Sequence, residues 1–261
     1  MDIGTLALQL AAPMQSWGTR SRFTRRDTAQ EPTKSGIVGL LMAALGRPRD
    51  DDACVQELAT LRLGVRVDLE GTTERDYHTI SNVASADAKN SAGVVSNRYY
   101  LADAAFLAVL EGEPAQLEEL YHALLRPRWP LYLGRRSFLP SLPLVLPESC
   151  EYPSLGELRL EESLAAYPWL EQRGYERRKA LRTLGQPEQR PNLLRTVTDT
   201  VPTHPAGELR HDHPVSFRPD DRRRTPHRRD RAHPTHSGPH NPYPRVGHRL
   251  TRRPLPGRTN E

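Results

Sequence analysis

Between Thr5 and Leu146 the repeat of apolar residues switches back and forth between two residues and about 3.6, which leaves the chain few ways to fold. Thr5 to Leu10 alternates, with Leu6, Leu8 and Leu10 on one face, and predicts a strand. A polar, Arg-rich loop runs from Ala12 to Glu31. Pro32-Thr33 then opens a helix with Thr33 as N-cap, an apolar face of Ile37, Val38, Leu40, Leu41 and Leu45, and Gly46 as C-terminal cap. Gly36 and Gly39 in its first turns each cost about 1 kcal/mol of helix propensity relative to Ala. Close packing of another backbone would account for them. Leu61, Leu63, Val65, Val67 and Leu69 alternate with Arg62, Gly64, Arg66 and Asp68 and predict a second strand. A third is expected from about Arg98 to Leu110, a helix from about Pro114 to Leu125, and a fourth strand from Leu142 to Leu146.

Strand, helix, strand, strand, helix, strand is the split βαβ, or ferredoxin-like, order of an α+β protein. Residues 71–97, between the second and third strands, are too many for a hairpin turn and too polar for a core, so they predict a projecting insertion. Residues 1–147 therefore form the ferredoxin-like unit. Residues 148–217 form a C-terminal subdomain, with a helical stretch near Leu155–Leu170, a short strand near Leu193–Val197, and Val215-Ser216-Phe217 pairing at a sheet edge. Residues 218–261 are rich in Pro, His and Arg with few apolar residues, which predicts an irregular tail that cannot offset the entropy of ordering.

The net charge of +5 is unevenly spread. Twelve Arg against four acids give the tail +8, so residues 1–217 carry −3. Within that near-neutral body, cations cluster twice. Residues 18–49 hold Arg20, Arg22, Arg25, Arg26, Lys34, Arg47 and Arg49 against Asp27 and Glu31, and residues 126–147 hold Arg126, Arg128, Arg135 and Arg136 with no acid. Such clustering suggests a defined phosphate track. No apolar run approaches the roughly 18 residues of a membrane span. Cys54 and Cys150 have no metal-binding spacing, and the histidines His211, His213, His233, His236 and His240 have no Cys pair beside them, so neither metal nor cofactor is expected. A reduced, cytoplasmic setting is the simpler reading.

Leu8-Gln9-Leu10-Ala11-Ala12-Pro13-Met14-Gln15-Ser16-Trp17-Gly18 resembles the opening of the CasD family of type I-E CRISPR Cascade complexes, the Cas-five branch of the RAMP superfamily. The likeness continues in Arg26-Asp27-Thr28, Pro32-Thr33-Lys34-Ser35-Gly36, Asp76-Tyr77-His78-Thr79, Arg98-Tyr99-Tyr100-Leu101, Pro127-Arg128-Trp129 and Tyr132-Leu133-Gly134-Arg135-Arg136-Ser137. These blocks follow family order over roughly residues 5–146. The resemblance implies a modified ferredoxin-like palm, a thumb inserted between its middle strands and a glycine-containing loop after the second helix. It further implies binding of the crRNA 5′ handle, contacts with the backbone subunit and the large subunit of the complex, and an indirect effect on target DNA near its PAM-proximal end.

Candidate RNA-binding residues follow from chemistry and position. Arg20, Arg22, Arg25 and Arg26, with Arg135 and Arg136 beside Gly134, are expected to fork onto phosphates. Trp17 either stacks on a base, worth roughly 1–3 kcal/mol, or closes the edge of the core. Gln15 reads a base edge or caps a turn. Lys34-Ser35 lacks the glycine of a P-loop, leaving a cation at a helix start that holds phosphate or is a plain first-turn residue. Tyr77, His78, Arg98 and Tyr99 lie at the base of the insertion, where stacking and phosphate contact are expected. Both arginine clusters are expected to meet over one face of a sheet. The alternative, a metal-independent endoribonuclease for precursor crRNA, requires a base, an acid and a cation around one phosphate, and Tyr77, His78 and Lys34 supply those types.

Overall fold

The computed structural model describes residues 3–18, 24–84, 91–170, 193–200, 204–205, 207–218 and 228–236. Arg20 and Arg22 lie outside the described residues. The chain is α+β. Its first strand, β1 (Gly4–Ala11), is followed by two short pairings, β2 (Met14–Gln15) and β3 (Arg25–Arg26), within the Arg-rich loop. Helix α1 (Lys34–Leu45) begins where predicted: Thr33 accepts a hydrogen bond from the Gly36 amide, and Gly46 takes the left-handed conformation (φ 70°) that ends it. A second helix, α2 (Asp52–Ala59), was not foreseen; Asp51 caps it through the Cys54 amide, and its eight residues bury only Val55, Leu58 and Ala59.

Strand β4 (Arg62–Leu69) leads into β5 (Thr72–Ala84), which pairs antiparallel with β6 (Ser91–Ala102) from Thr72↔Ala102 to Ala84↔Ser91. The polar insertion is thus a two-stranded ribbon. The third predicted strand is in fact two. At Asp103 the backbone turns through φ 55°, its amide held by the Pro13 carbonyl at 3.0 Å, and the chain leaves β6 for β7 (Ala105–Gly112). An unbroken apolar pattern hid the turn, because β6 and β7 each bury residues at their junction but belong to different sheets.

Helix α3 (Pro114–Leu125) matches its prediction. The predicted fourth strand does not form a ladder. Residues 141–146 run irregularly beside β1, with the Gln9 amide bonded to the Leu144 carbonyl at 2.8 Å and the Gln9 side chain to Pro143. Pro140, Pro143 and Pro147 remove the amides that a regular ladder needs. Pairing on that edge comes from β8 (Leu155–Gly156).

Beyond it lie α4 (Leu160–Ala166), β9 (Leu193–Asp199), β10 (Glu208–Arg210) and β11 (Arg228–His236). The main sheet has seven strands in the order β10-β11-β9-β4-β7-β1-β8. Part of the tail expected to be irregular is therefore a strand, since backbone pairing with β9 and β10 does not require apolar side chains. Strands from all three predicted stretches share this one sheet. Val215–Phe217 does not pair at an edge; Phe217 packs against the core beside α1.

Both faces of the central strands are covered. Leu6, Leu8, Leu10, Leu63, Phe106 and Leu110 pack with α1, α2 and α3, whereas Ala7, Leu107 and Val109 pack with Leu160, Leu164, Tyr167 and Leu170. Complete burial of such apolar side chains contributes roughly 1.5–3 kcal/mol each.

The C-terminal strands are fastened to the entry of α1 by ion pairs. Lys34 binds Asp199 at 2.8 Å, and Glu31 binds both Arg195 and Arg210. Burial alone would raise the Glu31 carboxyl, but the hydrogen bonds and charges of Arg210 and Arg195 outweigh it and hold it below the ordinary 4.5. A carboxylate depressed in the folded state stabilises fully above its unfolded pKa and loses that contribution as pH falls through the folded one. Glu31→Gln should therefore lower the urea midpoint at neutral pH. The variant's midpoint should also change less than the wild type's between about pH 6 and about pH 3.

Candidate nucleic-acid interface

The base of the ribbon is where chain segments distant in sequence converge. β6 pairs with β5 along one edge and with β2 and β3 along the other, so Arg25 and Arg26 lie opposite Asn97 and Arg98. The Thr24 carbonyl fixes that junction by accepting from the Asn97 amide at 2.8 Å. Side chains alternate along a strand, so the ribbon has two distinct faces. One carries Arg75, Tyr77, Thr79, Val95, Asn97 and Tyr99, and the other Asp76, His78, Ile80, Val94, Ser96, Arg98 and Tyr100.

On the first face the Arg25 guanidinium lies over the Tyr99 ring, 5.2 Å from its centroid, and Arg75 stands opposite Tyr99 in register. Tyr77 is 61% exposed, and its ring is open to a stacking partner. Arg25 and Arg26 are exposed at the end of the loop that delivers them. On the second face Tyr100 is buried, packed edge-on against Phe138 at 4.9 Å, with Arg135 over its ring at 5.3 Å. Arg98 donates to Ser96, and His78 stands 3.7 Å from Asp76.

Gly134 has φ 100°, and a Cβ there would lie 2.1 Å from the Ser16 carbonyl oxygen. Only glycine lets the 133–138 loop lie against the residues after β1. The glycine thereby sets Arg135 half-buried and Arg136 exposed. The two arginine clusters do meet at a single strand, through adjacent residues of β6. Arg25 and Arg135 engage its opposite faces, whereas Arg26, in register with Arg98, falls on the same face as Tyr100, so the expectation of one shared face is corrected for Arg25.

Several candidates serve the fold instead. Trp17 is 2% exposed; its indole donates to Gln15 and its ring fills the space above Gly36, where a Cβ would lie 2.8 Å from Cε3. Trp17 therefore closes the core and offers no stacking face. That ring, not a backbone, is what requires Gly36. Gln15 is fully buried and donates to the carbonyls of Leu10 and Ala104, so it ties β1 to the turn that leads into β7 and cannot read a base. Lys34 is buried against Asp199, while Asp212 accepts from the Lys34 amide at 2.9 Å and its carbonyl from the Ser35 amide. An internal carboxylate already occupies the start of α1, which leaves Lys34 and Ser35 no phosphate to hold there. Tyr77 and His78, being consecutive in β5, point to opposite faces, and the Lys34 ammonium is engaged by Asp199. The proposed catalytic trio is not assembled.

Arg75 was missed, although its alternation with Tyr77 marks a shared face once a strand is drawn there. Also missed was a groove of about 640 Å³ between α1, residues 129–134 and residues 211–217, lined in part by Arg47, Arg49 and Trp129. Its walls come from segments that no local pattern connects.

Residues 5–230 match the family model described as CRISPR-associated protein (Cas_Cas5). The chain belongs to the Cas5 family. Among its relatives, the Cas5 chain is 38% identical over 155 residues to the CRISPR system Cascade subunit CasD of Escherichia coli (strain K12), an alignment covering 54% of this chain and 69% of that protein. A solved structure described as a Cas protein superposes with a TM-score of 0.65 at 40% identity, covering 89% of this chain and 95% of the other. A chain of a CRISPR RNA-guided surveillance complex superposes with a TM-score of 0.63 at 29% identity, covering 89% and 90%.

Proposed function

We propose that this Cas5 chain is a non-catalytic, RNA-holding subunit of a type I-E Cascade surveillance complex. It grips the 5′ handle of the crRNA and caps the backbone of the complex beside the large subunit. The observation that carries the reading is the guanidinium of Arg25 laid over Tyr99 at the root of the ribbon, with Arg75 and exposed Tyr77 on the same face. Cations paired with open aromatic faces are the chemistry that holds single-stranded RNA: arginine takes the phosphates and the rings take unstacked bases. Arg25, Arg26 and Arg136 serve as phosphate ligands, and Tyr77 and Tyr99 provide the stacking that Trp17 cannot.

The fold supports this reading from a second side. The central order β4-β7-β1, with residues 141–156 on the far edge, suits a ferredoxin-like palm. The ribbon, inserted between β4 and β7, has the placement of a thumb. Likeness to a Cascade subunit and to a chain of an RNA-guided complex supports assembly into such a particle. Target DNA is then met indirectly, near the PAM-proximal end of the guide.

A gel shift of the purified chain with labelled repeat RNA tests the proposal. A shift that weakens with salt, by roughly 0.7 in log–log slope per phosphate engaged, and that leaves the RNA full length is the expected result. A scaffold that touches only protein would give no shift. Metal-free shortening of the RNA, abolished by His78→Ala, would put the endoribonuclease in its place.

A further inference from the structure

Gly39 is the glycine of α1 that packing does not explain. A Cβ at Gly36 would strike Trp17, but one at Gly39 meets nothing nearer than Phe217 Cζ at 3.9 Å. Glycine inside a helix is unfavourable, and a Cβ here would make no more than ordinary contact with Phe217, so the core gives no cause for its presence. What it borders is the groove of about 640 Å³, a volume in the usual range of small-ligand sites. Ser35, Gly39 and Ala43 recur one helical turn apart and give that groove a flat floor of small residues.

Its walls are aromatic and its rim is cationic. Trp129 is 43% exposed and stands in a loop held to the C-terminal end of α1, its amide bonded to the Ala43 carbonyl at 3.2 Å. Phe217 closes the other side. Arg47 and Arg49 are exposed at the rim; Arg47 also reaches Asp51 at 3.7 Å. Neither Asp nor Glu is among the described residues that line the groove.

We infer that this groove holds one unstacked nucleotide, its base against Gly39 and Ala43 beside Trp129 and its phosphate against Arg47 and Arg49. The inference rests on the RNA-holding function proposed above and adds a specific subsite to it. A flat floor with an aromatic wall fits a base, and two arginines in a lining that holds no acid among the described residues fit its phosphate. An apolar segment of a partner protein would have no use for two arginines at the mouth.

The test uses the full chain and a labelled single-stranded repeat RNA, intact or with one abasic position moved along it. Gly39→Leu, which fills the floor, should weaken binding of the intact RNA about tenfold, and Gly39→Ala should leave it within about twofold. One abasic position should weaken binding to the wild type but have no further effect on Gly39→Leu. Trp129→Ala, at an exposed site, should reproduce the loss without touching the helix. A circular-dichroism melt at or above that of wild type checks that Gly39→Leu is folded, since Leu is the better helix former. Wild-type affinity in both Gly39→Leu and Trp129→Ala, or equal abasic penalties in wild type and Gly39→Leu, overturns the subsite while the RNA-holding function stands. Normal RNA binding by Gly39→Leu with lost assembly onto partner proteins would likewise overturn it and give the groove to a protein side chain. Failure of the wild type to bind RNA removes both.

Discussion

Exchanging Arg25 and Arg26 for glutamate should weaken binding of the 5′-handle RNA by about a hundredfold. A hydrogen bond to a charged group is worth about 1.5–3 kcal/mol, and each 1.4 kcal/mol is a factor of ten, so two lost contacts reach that size. The same double variant should flatten the salt dependence by about 0.7 per phosphate released, which a merely misfolded protein would not do in a graded way. Both side chains are exposed in β3, so stability should move by no more than about 0.5 kcal/mol. Lysine at the same two positions keeps the charge but loses the planar fork and the stacking on Tyr99, and should cost less. Arg136→Glu makes a clean companion because Arg136 is also exposed. Arg135→Glu does not, because Arg135 is half-buried over Tyr100 and its loss would mix binding with folding. Unchanged affinity and unchanged salt slope in Arg25→Glu/Arg26→Glu would remove the phosphate track from the ribbon base.

The largest stability effect is expected at Asp68. Arg66 and Asp68 lie two apart in β4, face the same side, and are 3% and 0% exposed. The guanidinium binds both carboxylate oxygens, at 2.7 and 2.9 Å, and also donates to the carbonyls of Leu164, Tyr167 and Pro168. The Asp68 carboxylate in turn accepts from the Leu170 amide at 2.7 Å. Asp68→Ala leaves a buried cation without its counter-charge and should cost about 3–5 kcal/mol. A Tm lowered by roughly 10 °C in thermal unfolding would be the readout for a chain of this size. The paired change Arg66→Met/Asp68→Leu removes both charges and should recover a good part of the loss. A single variant as stable as wild type would mean that α4 and residues 164–170 are held to the sheet by their apolar contacts alone.

How far the sequence could be read depended on whether a feature is local. The caps of α1 were legible because Thr33 and Gly46 act within a few residues of themselves, and α3 was legible because Leu117, Leu120, Tyr121 and Leu124 repeat at helical spacing. The turn at Asp103 was not legible: both sides of it are apolar, and what bends the chain is a carbonyl of Pro13. The strand at Leu142–Leu146 was over-read, since its apolar residues do face the core while its prolines forbid the ladder. β11 was passed over for the opposite reason, because its pairing is through the backbone and its side chains carry no pattern.

The candidate site divides in the same way. Arg25, Arg26, Arg136, Tyr77 and Tyr99 could be named from residue type and clustering, and they lie at or beside the ribbon base. Gln15, Trp17 and Lys34 are the same kinds of residue in the same stretch, yet they are buried. Nothing within ten residues of Trp17 reveals that Gly36 leaves room for its ring, nor does the neighbourhood of Lys34 reveal Asp199. By itself, the sequence determined the elements whose signals repeat along the chain, the location of the cations, and membership of the Cas5 family. Only the tertiary structure decided which polar side chains face outward and which arginines of distant loops meet at β6. Burial is set by what another part of the chain brings to the spot, and a one-dimensional pattern does not carry that.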